Sequence, residues 1–65
     1  MLEAGKIIRS LRTEQGLTLR ELGDKSGVYY GTISNVENER YGISLYCFEC
    51  LLESMDCELQ VVPKQ

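Results

Sequence analysis

Residues 19–38 read Leu19-Arg20-Glu21-Leu22-Gly23-Asp24-Lys25-Ser26-Gly27-Val28-Tyr29-Tyr30-Gly31-Thr32-Ile33-Ser34-Asn35-Val36-Glu37-Asn38, and their spacing decides the fold. Two short helices can cross steeply only if a small residue lets them approach and a glycine lets the chain reverse between them. Gly23 and Gly27 stand at those two places. Leu22, Val28, Ile33 and Val36 recur at the spacing that would lock both helices onto one core. The outer face of the second helix is left free.

Ahead of this stretch, Thr18-Leu19-Arg20-Glu21 has the form of a capping box, so a helix is predicted over about Leu19 to Lys25. Before it, Ile7, Ile8 and Leu11 lie at helical spacing between Glu3 and Gln15, with Gly16 as the stop. The third helix is predicted from about Tyr30 to Val36. Its local signals are poor: Tyr29 stands where a Ser or Thr cap is expected, and Gly31 costs about 1 kcal/mol of helix propensity relative to Ala. Tertiary contact must therefore hold it. After a loop at Glu39 to Ile43, Ser44 can cap a fourth helix whose Leu45, Phe48, Leu51, Leu52 and Met55 form one apolar stripe. From Glu58 to Val62 the pattern alternates, with Leu59 and Val61 on one side, and Pro63 ends it, which reads as a short strand. A lone strand leaves its backbone groups unpaired, so its partner is expected from a second copy, as an antiparallel ribbon across a two-fold axis.

The run from Leu17 to Val28, followed by Thr32-Ile33-Ser34-Asn35-Val36-Glu37-Asn38, resembles the Cro/CI-type (XRE-like) helix-turn-helix family, over about Gly5 to Met55. The resemblance implies an all-α fold: a compact four-helix domain over residues 1–56 with the motif at 19–38. A tail at 57–65 carries the strand, whose Leu59, Val61 and Val62 would make the dimer contact. Such tails are similar to those of small family members, including some antitoxins. The implied function is sequence-specific binding of double-stranded DNA by a homodimer on a palindromic operator, as a transcriptional regulator and most readily a repressor. The alternative is an antitoxin-like module that holds a partner toxin and autoregulates its own operon.

By the same resemblance, Tyr30, Gly31, Ser34 and Asn35 match the positions that face the major groove. A helical wheel places Gly31, Ser34 and Asn35 opposite Ile33 and Val36, with Tyr30 at the margin. Asn35 is the expected main reader, because a carboxamide offers a donor and an acceptor to adenine. Phosphate contacts are expected from the helix start at Thr18, Leu19 and Arg20, from Tyr29, and from Asn38, Arg40 and Tyr41 in the following loop. Arg12 and Glu37 match a structural ion pair between the first and third helices. The chain departs from the family pattern twice: Leu19 replaces an orienting polar residue, and Tyr29 to Asn38 contains no Lys or Arg.

A chain of 65 residues is one small domain, which self-association would help. Its net charge of −3 opposes DNA binding, but the charge is unevenly placed. Through Arg40, six basic residues (Lys6, Arg9, Arg12, Arg20, Lys25, Arg40) balance six acidic ones (Glu3, Glu14, Glu21, Asp24, Glu37, Glu39). Beyond it, only Lys64 opposes Glu49, Glu53, Asp56 and Glu58. The excess acid thus lies in the C-terminal third, where it would suit a basic protein partner as readily as solvent. With no basic, apolar leader and no run approaching the ~20 apolar residues of a membrane span, the expected location is the cytoplasm, with no membrane partner. Cys47, Cys50 and Cys57 are an odd set, expected to be reduced. On a continuous fourth helix Cys50 would point roughly 150° from the stripe, and no His completes a tetrahedral set, so no metal or other cofactor is expected. Without His or a nucleotide-cradling loop, no catalytic residues are expected, and the chain reads as a binding module, not an enzyme.

Overall fold

The computed structural model describes residues 3–40 and 42–63. Four helices follow in order: α1 (Ala4–Glu14), α2 (Leu19–Ser26), α3 (Tyr30–Glu37) and α4 (Leu45–Ser54). Their apolar stripes converge on Ile8, Leu22, Ile33, Phe48, Leu51, Leu52 and Met55, all buried. Ile7, Leu11, Leu17, Leu19, Val28 and Ile43 close the rim of that core. α2 packs on α3 and α4, and α1 packs on the same two helices, so α3 is backed by both of its predecessors. The helices start and stop within a residue of the sequence expectation, Glu3 and Gln15 being the caps of α1.

Three helices end in the same way. After α1 the chain turns at Gly16 (φ 70°), whose N–H donates to Thr13 O while that of Leu17 donates to Arg12 O. This paired closure needs a left-handed residue, for which glycine has no steric cost. After α3 and α4 the same turn is made by Glu39 and Asp56, both at φ 58°. The core continues past α4, with Cys57 packed against it. Gln15 Nε2 donates to Met55 O at 2.8 Å, tying the end of α1 to the end of α4.

One contact was not legible in the sequence. Gly5 is buried on α1, and a Cβ there would collide with the carbonyl oxygen of Val36. α1 therefore lies backbone to backbone against the last turn of α3.

The tail differs from expectation. Residues 58–63 form no strand, and Val61 is 93% exposed. The reason is physical: a strand is defined by its ladder, and a single copy supplies none, so the backbone stays with water. Among the described residues, no helix is long and apolar enough to cross a membrane.

Candidate nucleic-acid interface

The start of α2 is fixed by local chemistry. Thr18 Oγ1 accepts from Glu21 N–H at 3.1 Å, and the Glu21 carboxylate accepts from Thr18 N–H at 2.9 Å. Donation from the Thr18 N–H, and to a lesser degree from the Thr18 hydroxyl, holds the Glu21 carboxyl below the usual carboxylate range. The Leu19 side chain packs against the core. The first amides of a helix have no partner within it, so the N–H groups of Leu19 and Arg20 point outward from the capped end. The turn into α3 then uses Gly27 at φ 77°. At Gly23, a Cβ would come within 2.9 Å of Val28 O, so only glycine permits this approach.

α3 buries Ile33 and Val36 and turns Gly31, Ser34 and Asn35 to the other side, where they are half-covered by their neighbours. Among the described residues, the Asn35 carboxamide makes no hydrogen bond. Asn38 behaves differently: its Nδ2 donates to Ser34 O at 2.9 Å and lies 3.4 Å from Ser34 Oγ, so its side chain caps the helix end. Arg40 is exposed, and its N–H donates to Asn35 O at 2.9 Å. Tyr41 lies outside the described residues.

At the other end of α3 the side chains gather. Arg20 Nη2 donates to the Tyr30 phenol at 3.2 Å, and the guanidinium carbon sits 4.4 Å from the Tyr30 ring centroid. Tyr30 in turn meets Tyr29, with ring centroids 4.8 Å apart and planes at 52°. Hydrogen bonding with the Tyr30 phenol pushes the Tyr29 pKa up, so Tyr29 stays neutral. The Tyr29 ring lies over Gly31, which is therefore not bare. Arg20, Gly23, Asp24, Gly27, Val28 and the two tyrosines line an open groove of about 560 Å³ along this edge. Neither the Arg20–Tyr30 contact nor the covering of Gly31 was read from the sequence. The first joins residues on different helices and the second depends on the rotamer of the N-cap side chain, and only the missing side chain at position 31 hints at close packing there.

Behind α3, Arg12 and Glu37 meet through two parallel bonds, Nε to Oε2 at 2.7 Å and Nη2 to Oε1 at 2.8 Å. Arg12 Nη1 also donates to Leu17 O at 2.8 Å. The bonds to Glu37 hold the guanidinium pKa above its ordinary value, against the opposing effect of burial. The pair thus anchors the end of α3 to α1 and to the α1–α2 turn.

The arrangement presents an outward helix whose Asn35 carboxamide has no hydrogen bond among the described residues, flanked by a capped helix start and braced from behind. A helix-turn-helix family model matches residues 8–46, from the middle of α1 into α4. The chain belongs to the Cro/CI-type helix-turn-helix family. Members of this helix-turn-helix family are DNA-binding regulators. One relative is the competence pilus inhibition repressor of Acinetobacter baylyi (strain ATCC 33305 / BD413 / ADP1), 33% identical over 61 residues, which make up 94% of this chain and 56% of the relative. The chain thus spans about half the length of that curated relative. No solved structure matches this helix-turn-helix chain.

Away from α3, Cys47 is half-buried on α4 and burial pushes its thiol pKa up. Cys50 lies beside Tyr46 one turn earlier and raises that phenol's pKa. Leu59 borders a shallow groove with Glu49, Leu52 and Glu53 of α4, while Val61 and Val62 are exposed on the tail.

Proposed function

We propose that this protein is a sequence-specific DNA-binding repressor that acts as a homodimer on a palindromic operator. The observation that carries the reading is the outer face of α3. It bears Ser34 and an Asn35 carboxamide with no hydrogen bond among the described residues, while Ile33 and Val36 face the core. Asn35 makes the paired bond to adenine, and Ser34 meets an adjacent base edge or phosphate. The amides of Leu19 and Arg20, the Arg20 guanidinium and Arg40 hold the phosphates, with Tyr41 as a further contact in the same loop. Two copies place their α3 helices in successive major grooves about 34 Å apart. The tail pairs through Leu59, Val61 and Val62 to form the missing ladder. The name of the A. baylyi relative supports repression as the outcome.

The test is selection of bound sequences from a random duplex library, with the mass of the protein in solution measured alongside. A dimer that enriches a palindrome with half-sites one turn apart is the expected result. Asn35→Ala should then cost about 1–3 kcal/mol per half-site with thermal stability unchanged. Deleting residues 58–65 should give monomers of lower affinity. A folded dimer that enriches no sequence would overturn the reading.

A further inference from the structure

Ser34 and Asn35 account for the middle of the α3 outer face but not for its first turn, where a glycine weakens the helix and two tyrosines meet. A Cβ at position 31 would fall 2.5 Å from Cε2 and 3.1 Å from Cδ2 of Tyr29. Gly31 is the seat on which the Tyr29 ring lies. The ring is nevertheless 67% exposed, so it forms an apolar surface on the outer face of the helix. Tyr30 is half-buried and its phenol is engaged by Arg20, so it serves as a post behind that ring.

We infer that Tyr29 is a specificity-determining residue that reads a pyrimidine 5-methyl group in the major groove, with Gly31 as its seat and the Arg20–Tyr30 pair as its support. The inference rests on the proposal that α3 enters the major groove. On that edge of the duplex a 5-methyl group is the apolar feature, and a neutral aromatic ring buries it without needing a hydrogen bond. Thymine and 5-methylcytosine both carry the group, so the chemistry recognised is the methyl and the base around it is a separate matter. The Tyr29 phenol plays no part in the contact.

The experiment uses the whole chain and the duplex enriched by the library selection. Each thymine is replaced in turn by deoxyuridine, which removes one methyl group and nothing else. At one position in each half-site, wild-type affinity should fall about fourfold per methyl. Tyr29→Ala should lose a similar factor on the thymine duplex and nothing further on the deoxyuridine duplex. Gly31→Ala, which displaces the ring while keeping Tyr29, should behave in the same way, whereas Tyr29→Phe should match the wild type. Placing cytosine or 5-methylcytosine at that position separates the two sources: a gain with 5-methylcytosine shows that either methyl is read, and a gain confined to thymine shows that thymine is the ligand. Equal wild-type binding to thymine and deoxyuridine at every position would overturn the inference alone. So would loss in Tyr29→Phe as large as in Tyr29→Ala, since the phenol would then be the contact. The absence of any enriched duplex would instead overturn the reading beneath it, and this inference with it.

Discussion

α2 and α3 are both eight residues long and lie side by side, yet they are held by opposite means. α2 is specified locally: a capping box at Thr18 and Glu21 starts it and a left-handed Gly27 stops it. α3 has no side-chain cap, a glycine in its first turn and no basic residue. It is held from behind, by buried Ile33 and Val36, by the close approach of Gly5 and by the Arg12–Glu37 pair. A helix held by its back has an outer face that owes nothing to folding. Such a face is available to a ligand, which is the role proposed for Ser34, Asn35 and the tyrosine platform.

Breaking the back of α3 should have the largest effect. Arg12→Ala or Glu37→Ala alone leaves a part-buried charge without its partner and should lower stability by about 3 kcal/mol in urea unfolding. Arg12→Met combined with Glu37→Leu should recover most of that loss, since no unpaired charge remains. Equal instability in the single and double variants would show that the pair contributes by geometry and not by charge compensation. Gly5→Ala comes next. Its methyl must displace the Val36 carbonyl, backbone against backbone, and the cost should be about 2 kcal/mol.

These two positions also mark what the sequence could and could not disclose. The α2 capping box, the Gly27 turn and the α4 stripe follow from spacing alone, because their causes lie within a few residues. The Arg12–Glu37 pair spans twenty-five positions and came from family resemblance. Gly5 carries no local mark, since a glycine needed for close approach looks like any other glycine until its neighbour is known. The Arg20–Tyr30 contact beneath Tyr29 is hidden for the same reason, since it depends on how α2 meets α3. The tail strand is the converse case, where an alternating pattern needs a ladder that one copy does not contain.

Exchanging the caps sharpens the contrast between the helices. Thr18→Ala removes the acceptor for the Glu21 amide and should cost about 1 kcal/mol. Tyr29→Ser adds the cap that α3 lacks, and should raise thermal stability by part of what Thr18→Ala removes. If Thr18→Ala were silent while Tyr29→Ser stabilised, α2 would also be held by tertiary contact, and the distinction between the helices would fall.

The smallest effect is carried by protons. The Glu21 carboxyl is held below its ordinary range by the Thr18 N–H and hydroxyl contacts, and these exist only in the folded chain. A carboxyl whose pKa is lower when folded than when unfolded binds fewer protons in the folded state, so its contribution is full above the unfolded pKa and is lost as pH falls through the folded one. Glu21→Gln retains an acceptor for Thr18 N–H but has no charge and does not titrate. The wild type should therefore be the more stable of the two at neutral pH, and their melting temperatures should converge as the medium is acidified below the carboxylate range. Because Glu21 is fully exposed, salt should narrow the neutral-pH gap as well. A gap that persisted in acid would mean that the substitution acts through packing, and that α2 begins with a weaker local code than its sequence suggests.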